Sequence, residues 1–261
     1  MRQAIGALLF LVGLAWTTTH AADTTLRTGN EVLRAAREVM SPVHDKSMKV
    51  TMRVVAPGGD ERVRVLHGYE KHTAGKRKVL WIFDSPMELH GTGFLAWQNE
   101  SEADSLWVYF PGQRRVRRVP PSIRRESFQG SLFTYEDLIA IFFLDYAGDH
   151  ELTGVEPCDE GDCYVVDSAL AGGAFAYDRL EAWIDTESLL LHRVEFFAGR
   201  LLKVMKVTGT KTIGEIPSIV RVEMENPTDG YRTRVALDEI EYNQDLDDNL
   251  FTLEHLAQEG K

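Results

Sequence analysis

Met48-Lys49-Val50-Thr51-Met52-Arg53-Val54 alternates apolar and polar side chains with a period of two, the spacing of a half-buried β-strand. The pattern starts at Lys46 and stops at Ala56-Pro57-Gly58-Gly59-Asp60, a run of turn formers. Beyond the turn Val63 and Val65, flanked by Arg62 and Arg64, continue the apolar series in a second strand. Similar short runs follow at 78–83, 92–98, 105–110 and 115–119, each bounded by Pro, Gly, Asp or Asn. Others are expected at 174–184, 190–197, 201–208, 219–225 and 231–242. In the last, the inward set changes from Val235 and Leu237 to Ile240 and Tyr242, a parity switch that predicts a bulge near Asp238. Closely spaced strands of this kind form an antiparallel meander rather than alternating βαβ units. Nothing between Gly148 and Gly173 reads as a flexible linker, so one domain is expected.

Two segments depart from this period. Residues 28–40 read as an amphipathic helix: Thr28 and Glu31 stand at capping-box spacing, Val32, Leu33, Ala36, Val39 and Met40 form one stripe, and Ser41-Pro42 ends it. Thr134-Tyr135-Glu136-Asp137 offers a second helix start, after which Leu138, Ile139, Ile141, Phe142 and Phe143 follow almost without a polar break. That helix is apolar nearly all round.

The chain of 261 residues carries 29 Lys and Arg against 40 Asp and Glu, a formal charge of −11. Such a balance argues against nucleic acid as a partner and limits membrane contact to something local and transient. At the N-terminus, Met1-Arg2 precedes the apolar run Ala4 to Trp16 and the small-residue site Thr19-His20-Ala21-Ala22. Residues 1–22 therefore read as an export signal cleaved near Ala21 or Ala22, too short to span a bilayer. Residues 23–261 remain as the folded domain. Export bears on the two cysteines, Cys158 and Cys163, which flank Asp-Glu-Gly-Asp. In an oxidising compartment they can close a disulfide across a hairpin turn; a metal site is the alternative, but no His lies close in sequence.

The search for reaction chemistry is negative. There is no Gly-x-Ser-x-Gly elbow, no His-Glu-x-x-His, no phosphate loop and no dinucleotide fingerprint. No catalytic residue, metal or cofactor is assigned, and the chain is not read as an enzyme. The positive signals are two. Trp81 and Phe83 share a strand face, while 94–97 and 106–110 are apolar on both faces. This excess fits either burial between two layers or a concave aromatic-lined cavity covered by the helix at 135–143. Second, Arg114, Arg115, Arg117, Arg118, Arg124 and Arg125 form a stripe in an acidic chain. It suits a lipid headgroup or an acidic partner surface, or else a charged edge strand protected against aggregation.

Ser85-Pro86, Gly91-Thr92-Gly93-Phe94-Leu95, Leu106-Trp107-Val108-Tyr109-Phe110-Pro111, Arg115-Val116-Arg117-Arg118-Val119 and the run from Glu126 to Leu138 resemble, in this order, the outer membrane lipoprotein-sorting protein family. This is a LolA-like group of exported bacterial proteins. Met224-Glu225-Asn226 and Asp248-Asn249-Leu250-Phe251-Thr252 extend the likeness to the C-terminal half, whereas Gln129 and Leu132 replace the Met and acidic residue expected there. The resemblance implies an α+β, mostly antiparallel fold, a half-open β-barrel with helices covering its concave face. It implies a periplasmic carrier that shelters acyl chains of a lipoprotein or other lipid between the inner and outer membranes. An inner-membrane transporter of the resistance-nodulation-division (RND) type or an outer-membrane acceptor would be its partner. The candidate cavity and lid residues are Trp81, Phe83, Phe94, Trp97, Trp107, Tyr109, Phe133, Leu138 and Phe142. The alternative is a non-carrier adaptor or lipid sensor that docks a transporter or an envelope-stress regulator.

Overall fold

The computed structural model describes residues 26–258 except 41–43, 74–75, 100–103, 141–145, 160 and 172–174. Phe142 and the signal segment 1–22 lie outside the described residues. A helix α1 (Gly29–Met40) leads into six strands: β1 (Asp45–Val55), β2 (Glu61–Thr73), β3 (Lys76–Ser85), β4 (Gly93–Asn99), β5 (Ser105–Phe110) and β6 (Arg115–Arg118). Two short helices, α2 (Pro121–Arg124) and α3 (Asp137–Ala140), precede seven more: β7 (Gly148–Pro157), β8 (Asp162–Leu170), β9 (Arg179–Asp185), β10 (Leu191–Phe197), β11 (Leu201–Ile213), β12 (Ile216–Glu225) and β13 (Arg232–Tyr242). The chain then turns through 248–251 into α4 (Leu253–Gln258).

All thirteen strands join one sheet in the order β6-β5-β4-β3-β2-β1-β13-β12-β11-β10-β9-β8-β7. Every neighbouring pair is antiparallel, and two meanders are stitched together where β1 meets β13, with Met52 opposite Val235 and Val54 opposite Thr233. β6 and β7 form the two outer edges, so the sheet stays open, as a half-open barrel requires. The register of β1 with β13 slips between Ser47 and Lys49, which skips Glu239 and Ile240 on β13. Glu239 has a positive φ of 52° there. This is the bulge that the parity switch predicts near Asp238. At the other end of the chain, Thr28 and Glu31 exchange the two hydrogen bonds of a capping box, Glu31 N to Thr28 Oγ1 at 3.2 Å and Thr28 N to Glu31 Oε2 at 3.1 Å.

The main core lies on one face of the sheet, called here the inner face. Met48, Val50, Met52, Leu66, Trp81, Phe83 and Phe94 belong to it, with Val32, Leu33 and Ala36 of α1 packed on the same side. The outer face carries a second cluster in which Phe251 and Leu256 cover Leu80, Leu95 and Tyr109. Asp45 starts this cover, because its carboxylate accepts from the backbone N–H of Gln244 and Leu246 at 2.7 and 3.0 Å.

Two expectations about strands need correction, and one hairpin adds strands that the alternation pattern does not mark. Val63 and Val65 do not face the core: β2 pairs Arg64 with Met52 and Leu66 with Val50, so Arg64 and Leu66 point inward and Val63 is 39% exposed. The inward arginine has a partner across the face, described below. The region 148–170 is a full hairpin, β7 and β8, whose edge strand is polar or exposed along most of its length and so lacks an alternation signal. β9 begins at Arg179 rather than near 174, because residues 175–178 bend before the ladder opens. Cys158 and Cys163 close a disulfide at the tip of the β7–β8 hairpin, their Cα atoms 5.8 Å apart.

Candidate functional site

Topology decides what lies over the inner face. β6 and β7 follow one another in the chain yet occupy opposite edges of the sheet, so 119–147 must connect them. Twelve strand spacings amount to roughly 58 Å along the sheet, and on the way the described residues 119–140 pass over the inner face, where several of them pack into the core. This crossing segment contains α2, a tight loop closed by a bridge between Ser127 and Thr134, and α3. Phe128, Phe133, Leu138, Ile139 and Ala140 are buried in the main core.

A crossing coil brings backbone N–H and C=O groups onto an apolar surface, where each needs a partner. Four strands supply them. Arg64 of β2 donates from Nη2 to the Gln129 carbonyl at 2.6 Å. Thr233 of β13 accepts the Leu132 N–H at 3.0 Å. Lys203 of β11 donates to the Leu132 carbonyl at 2.7 Å and to Asp137 at 2.6 Å. Arg77 of β3 donates to the Ile139 carbonyl at 2.6 Å. Gln129 and Leu132, which depart from the family pattern, are thus held through main-chain atoms, and the identity of their side chains leaves these ties intact.

Asp137 is the hydrogen-bonding hub of the crossing segment. It is fully buried and accepts from Thr134 N at 2.7 Å, from Tyr146 OH at 3.2 Å and from Tyr177 OH at 3.1 and 3.0 Å. Its own N–H donates back to Thr134 Oγ1 at 3.1 Å, a capping arrangement that starts α3. Burial lowers the pKa of the Lys203 ammonium, while the adjacent Asp137 pulls the other way. The neighbouring Glu136 is less well served: its Oε2 is buried with no hydrogen-bond partner among the described residues. Burial raises its pKa to about 7, opposed by Arg124 and reinforced by Asp104 and Asp137.

Aromatic packing fixes the other half of the crossing segment. Phe128 stacks on Phe83 with centroids 5.6 Å apart, meets Phe94 edge-on at 6.0 Å and meets Tyr135 edge-on at 5.3 Å. Such contacts add about 0.5–1.5 kcal/mol each beyond area burial.

A small cleft of about 50 Å³ opens beside Leu138 of α3. Met48, Trp81, Leu138, Ile219, Leu237 and Ile240 give it apolar walls, and Lys46, Glu70, Arg77, Ser218 and Tyr242 line it as well. The Glu70 carboxylate is 2.7 Å from Arg77 Nε, 3.0 Å from Lys46 Nζ and 2.7 Å from His72 Nε2. Burial alone would raise its pKa, but Arg77 and Lys46, with His72, hold it well below the usual range.

The expected cavity residues divide between the two faces. Trp81 and Leu138 line the cleft; Phe83, Phe94 and Phe133 pack beside it in the same core. Trp97, Trp107 and Tyr109 lie on the outer face, under the C-terminal segment, with Trp97 Nε1 donating to the Phe251 carbonyl at 3.0 Å. The excess of apolar strand surface thus has both explanations at once, a covered inner face and a covered outer one. Sequence reading missed Phe128, Arg64, Lys203, Thr233 and the Glu70 cluster. The inward cations left one usable trace: a lone Lys203 within Leu201-Leu202-Lys203-Val204-Met205.

Of the arginine stripe, Arg115, Arg117 and Arg118 sit on the edge strand β6, and Arg114 and Arg125 are exposed beside it. Arg118 donates to Ser105 Oγ at 3.1 Å, and the half-buried Arg124 donates to the Asp104 carbonyl.

A protein-family model described as "Uncharacterized protein" matches residues 75–258. No curated protein matches the chain. Among solved structures, a DUF1329 family protein from Desulfovibrio piger is similar at 25% identity and a TM-score of 0.81, over 88% of this chain and 100% of that one. An outer membrane lipoprotein-sorting protein domain from Vibrio parahaemolyticus gives 24% identity and a TM-score of 0.81, covering 88% and 98%. A LolA superfamily protein from Nitrosomonas europaea gives 21% identity and 0.71, covering 88% and 100%.

Glu136 makes the lid region pH-dependent in a direction that can be checked. Its folded pKa lies above the unfolded one, so between about pH 4.5 and 7 the folded chain keeps a proton that the unfolded chain has lost. Stability should fall as pH rises through that window and level off above it. Glu136→Gln is expected to flatten this slope and to raise stability at pH 8 by roughly 2 kcal/mol, measured by urea unfolding at pH 5 and pH 8.

Proposed function

This chain belongs to the family whose model matches residues 75–258 and has the fold of LolA-superfamily lipoprotein-sorting proteins; from that premise we propose that it is a periplasmic carrier of acyl chains. The observation that carries this reading is a segment tied across the inner sheet face with an apolar-walled cleft beneath it. A 16-carbon chain costs about 10 kcal/mol to hold in water at roughly 0.8 kcal/mol per methylene. A carrier must offset most of this cost and still release its load. Here Leu138, Ile139 and Ala140 bury themselves against the face that cargo would occupy, so the empty protein satisfies its own apolar surface and cargo competes with the lid. The tie from Arg77 to Ile139 is the contact nearest the cleft that must yield.

Periplasmic location is supported by the export-signal pattern at 1–22 and by the Cys158–Cys163 disulfide, which needs an oxidising compartment to persist. No helix among the described residues is long and apolar enough to cross a membrane. Delivery then needs a partner at each membrane, an inner-membrane transporter of the RND type or an outer-membrane acceptor. The two sheet edges differ in sign: β6 carries Arg115, Arg117 and Arg118, whereas β7 exposes Asp149, Glu151 and Glu156. An anionic bilayer against both edges would be repelled at β7, so the arginine edge fits an acidic patch on a protein partner.

Native mass spectrometry of the protein taken from its own periplasm should show co-purified lipid of defined mass, displaceable by a fluorescent fatty acid. Persistent absence of lipid, with no binding of the probe, would contradict the carrier. Arg117→Glu with Arg118→Glu is expected to abolish high-mass species trapped by crosslinking in cells while changing stability by less than about 0.5 kcal/mol. Crosslinked species that persist at parental levels would remove the arginine edge from docking.

A further inference from the structure

A neutral amide can donate one hydrogen bond to a main-chain carbonyl, whereas burying a guanidinium for that purpose is costly unless an anion accompanies it. Two of the inward cations have such an anion: Lys203 is paired with Asp137 and Arg77 with Glu70. Arg64 does not. It is 7% exposed, and its Nη2 donates to the Gln129 carbonyl, while Nε and Nη1 are buried with no hydrogen-bond partner among the described residues. Burial and the nearby Arg62 both lower its pKa, and no carboxylate opposes them. The register of β2 explains the second arginine. Arg62 stands opposite Val54 and Arg64 opposite Met52, so the two share the inner face about 7 Å apart along the strand. Arg62 is exposed and has no ion pair or hydrogen bond among the described residues. Over Arg64 lies the turn of Gln129 and Gly130, whose φ angles are 52° and 73°; a Cβ on Gly130 would come within 3.9 Å of Arg64 Nη2.

We propose that Arg62 and Arg64 form an oxyanion site and that the group it takes is a phosphate. The phosphate enters from the exposed Arg62, moves the Gln129–Gly130 turn aside and accepts from the Arg64 guanidinium in place of the Gln129 carbonyl, while Arg62 donates to a second oxygen. One guanidinium fork satisfies both oxygens of a carboxylate, whereas a tetrahedral phosphate has oxygens for two cations, which is what this pair offers. Neither arginine lines the cleft beside Leu138, so the site stands independently of acyl-chain carriage. A free phosphate and the phosphorylated headgroup of a lipid present the same chemistry to it.

The test titrates inorganic phosphate, decyl phosphate and acetate into the mature chain by calorimetry, with sodium chloride at matched ionic strength. Inorganic phosphate is expected to bind saturably and at least about tenfold more tightly than acetate. Arg62→Gln and Arg64→Gln should each weaken phosphate by at least about tenfold. Arg64→Gln keeps one donor for the Gln129 carbonyl, and Arg62→Gln, at an exposed position, gives the same test if the first variant does not fold. Decyl phosphate that binds about tenfold more tightly than inorganic phosphate would identify a lipid headgroup as the source, and equal binding would identify free phosphate; either supports the site. Phosphate that binds no better than acetate would overturn the proposal. So would binding undiminished in both folded variants, which would mean an adventitious ion only and leave Arg64 as a tie to the turn. Phosphate binding in a chain that takes up no lipid would keep this site and remove the carrier, so the two readings fail separately.

Discussion

A chain that leaves one edge of a thirteen-stranded sheet and resumes at the other must lay its connection over the core. The resulting constraint shapes the molecule, because a coil crossing an apolar face still has its backbone groups to satisfy. Arg64, Arg77, Lys203 and Thr233 meet that need from four different strands. Each is a polar residue pointing inward where an aliphatic one would pack more simply. The outcome is a lid held by a small number of directional bonds over a surface that is otherwise greasy. On the proposed carrier reading, a cargo chain would compete with this cover for the same apolar surface.

Much of the fold was legible because half-buried antiparallel strands announce themselves by period. Met48 to Val54 alternates cleanly, and the parity switch after Leu237 marks a real bulge at Glu239. Legibility failed where polar side chains serve the lid. Arg64 sits inward on β2, so the alternation that favours Val63 and Val65 has the wrong phase. It failed again at β7, an exposed edge strand with nothing to alternate against.

The aromatic residues show a different limit. Phe94 to Trp97 and Leu106 to Phe110 are apolar on both faces, and local sequence cannot tell which face meets which layer. The assignment depends on residues remote in sequence: Phe251 and Leu256, more than a hundred positions on, claim Tyr109, Trp97 and Trp107 for the outer face, while Phe128 claims Phe83 and Phe94 for the inner one. The charged end of the cleft was equally invisible, since Lys46, Glu70 and Arg77 look like ordinary outward residues until the register aligns them.

The central claim is that residues 126–140 form a lid that cargo displaces. Hydrogen–deuterium exchange of the mature chain, followed by mass spectrometry with and without saturating hexadecanoate, addresses it directly. The account predicts faster exchange in 126–140 on loading, as the N–H groups of Leu132 and the start of α3 lose their partners, with the β1–β13 ladder unchanged. Exchange in 126–140 that stays the same or slows while the ligand is bound would contradict it.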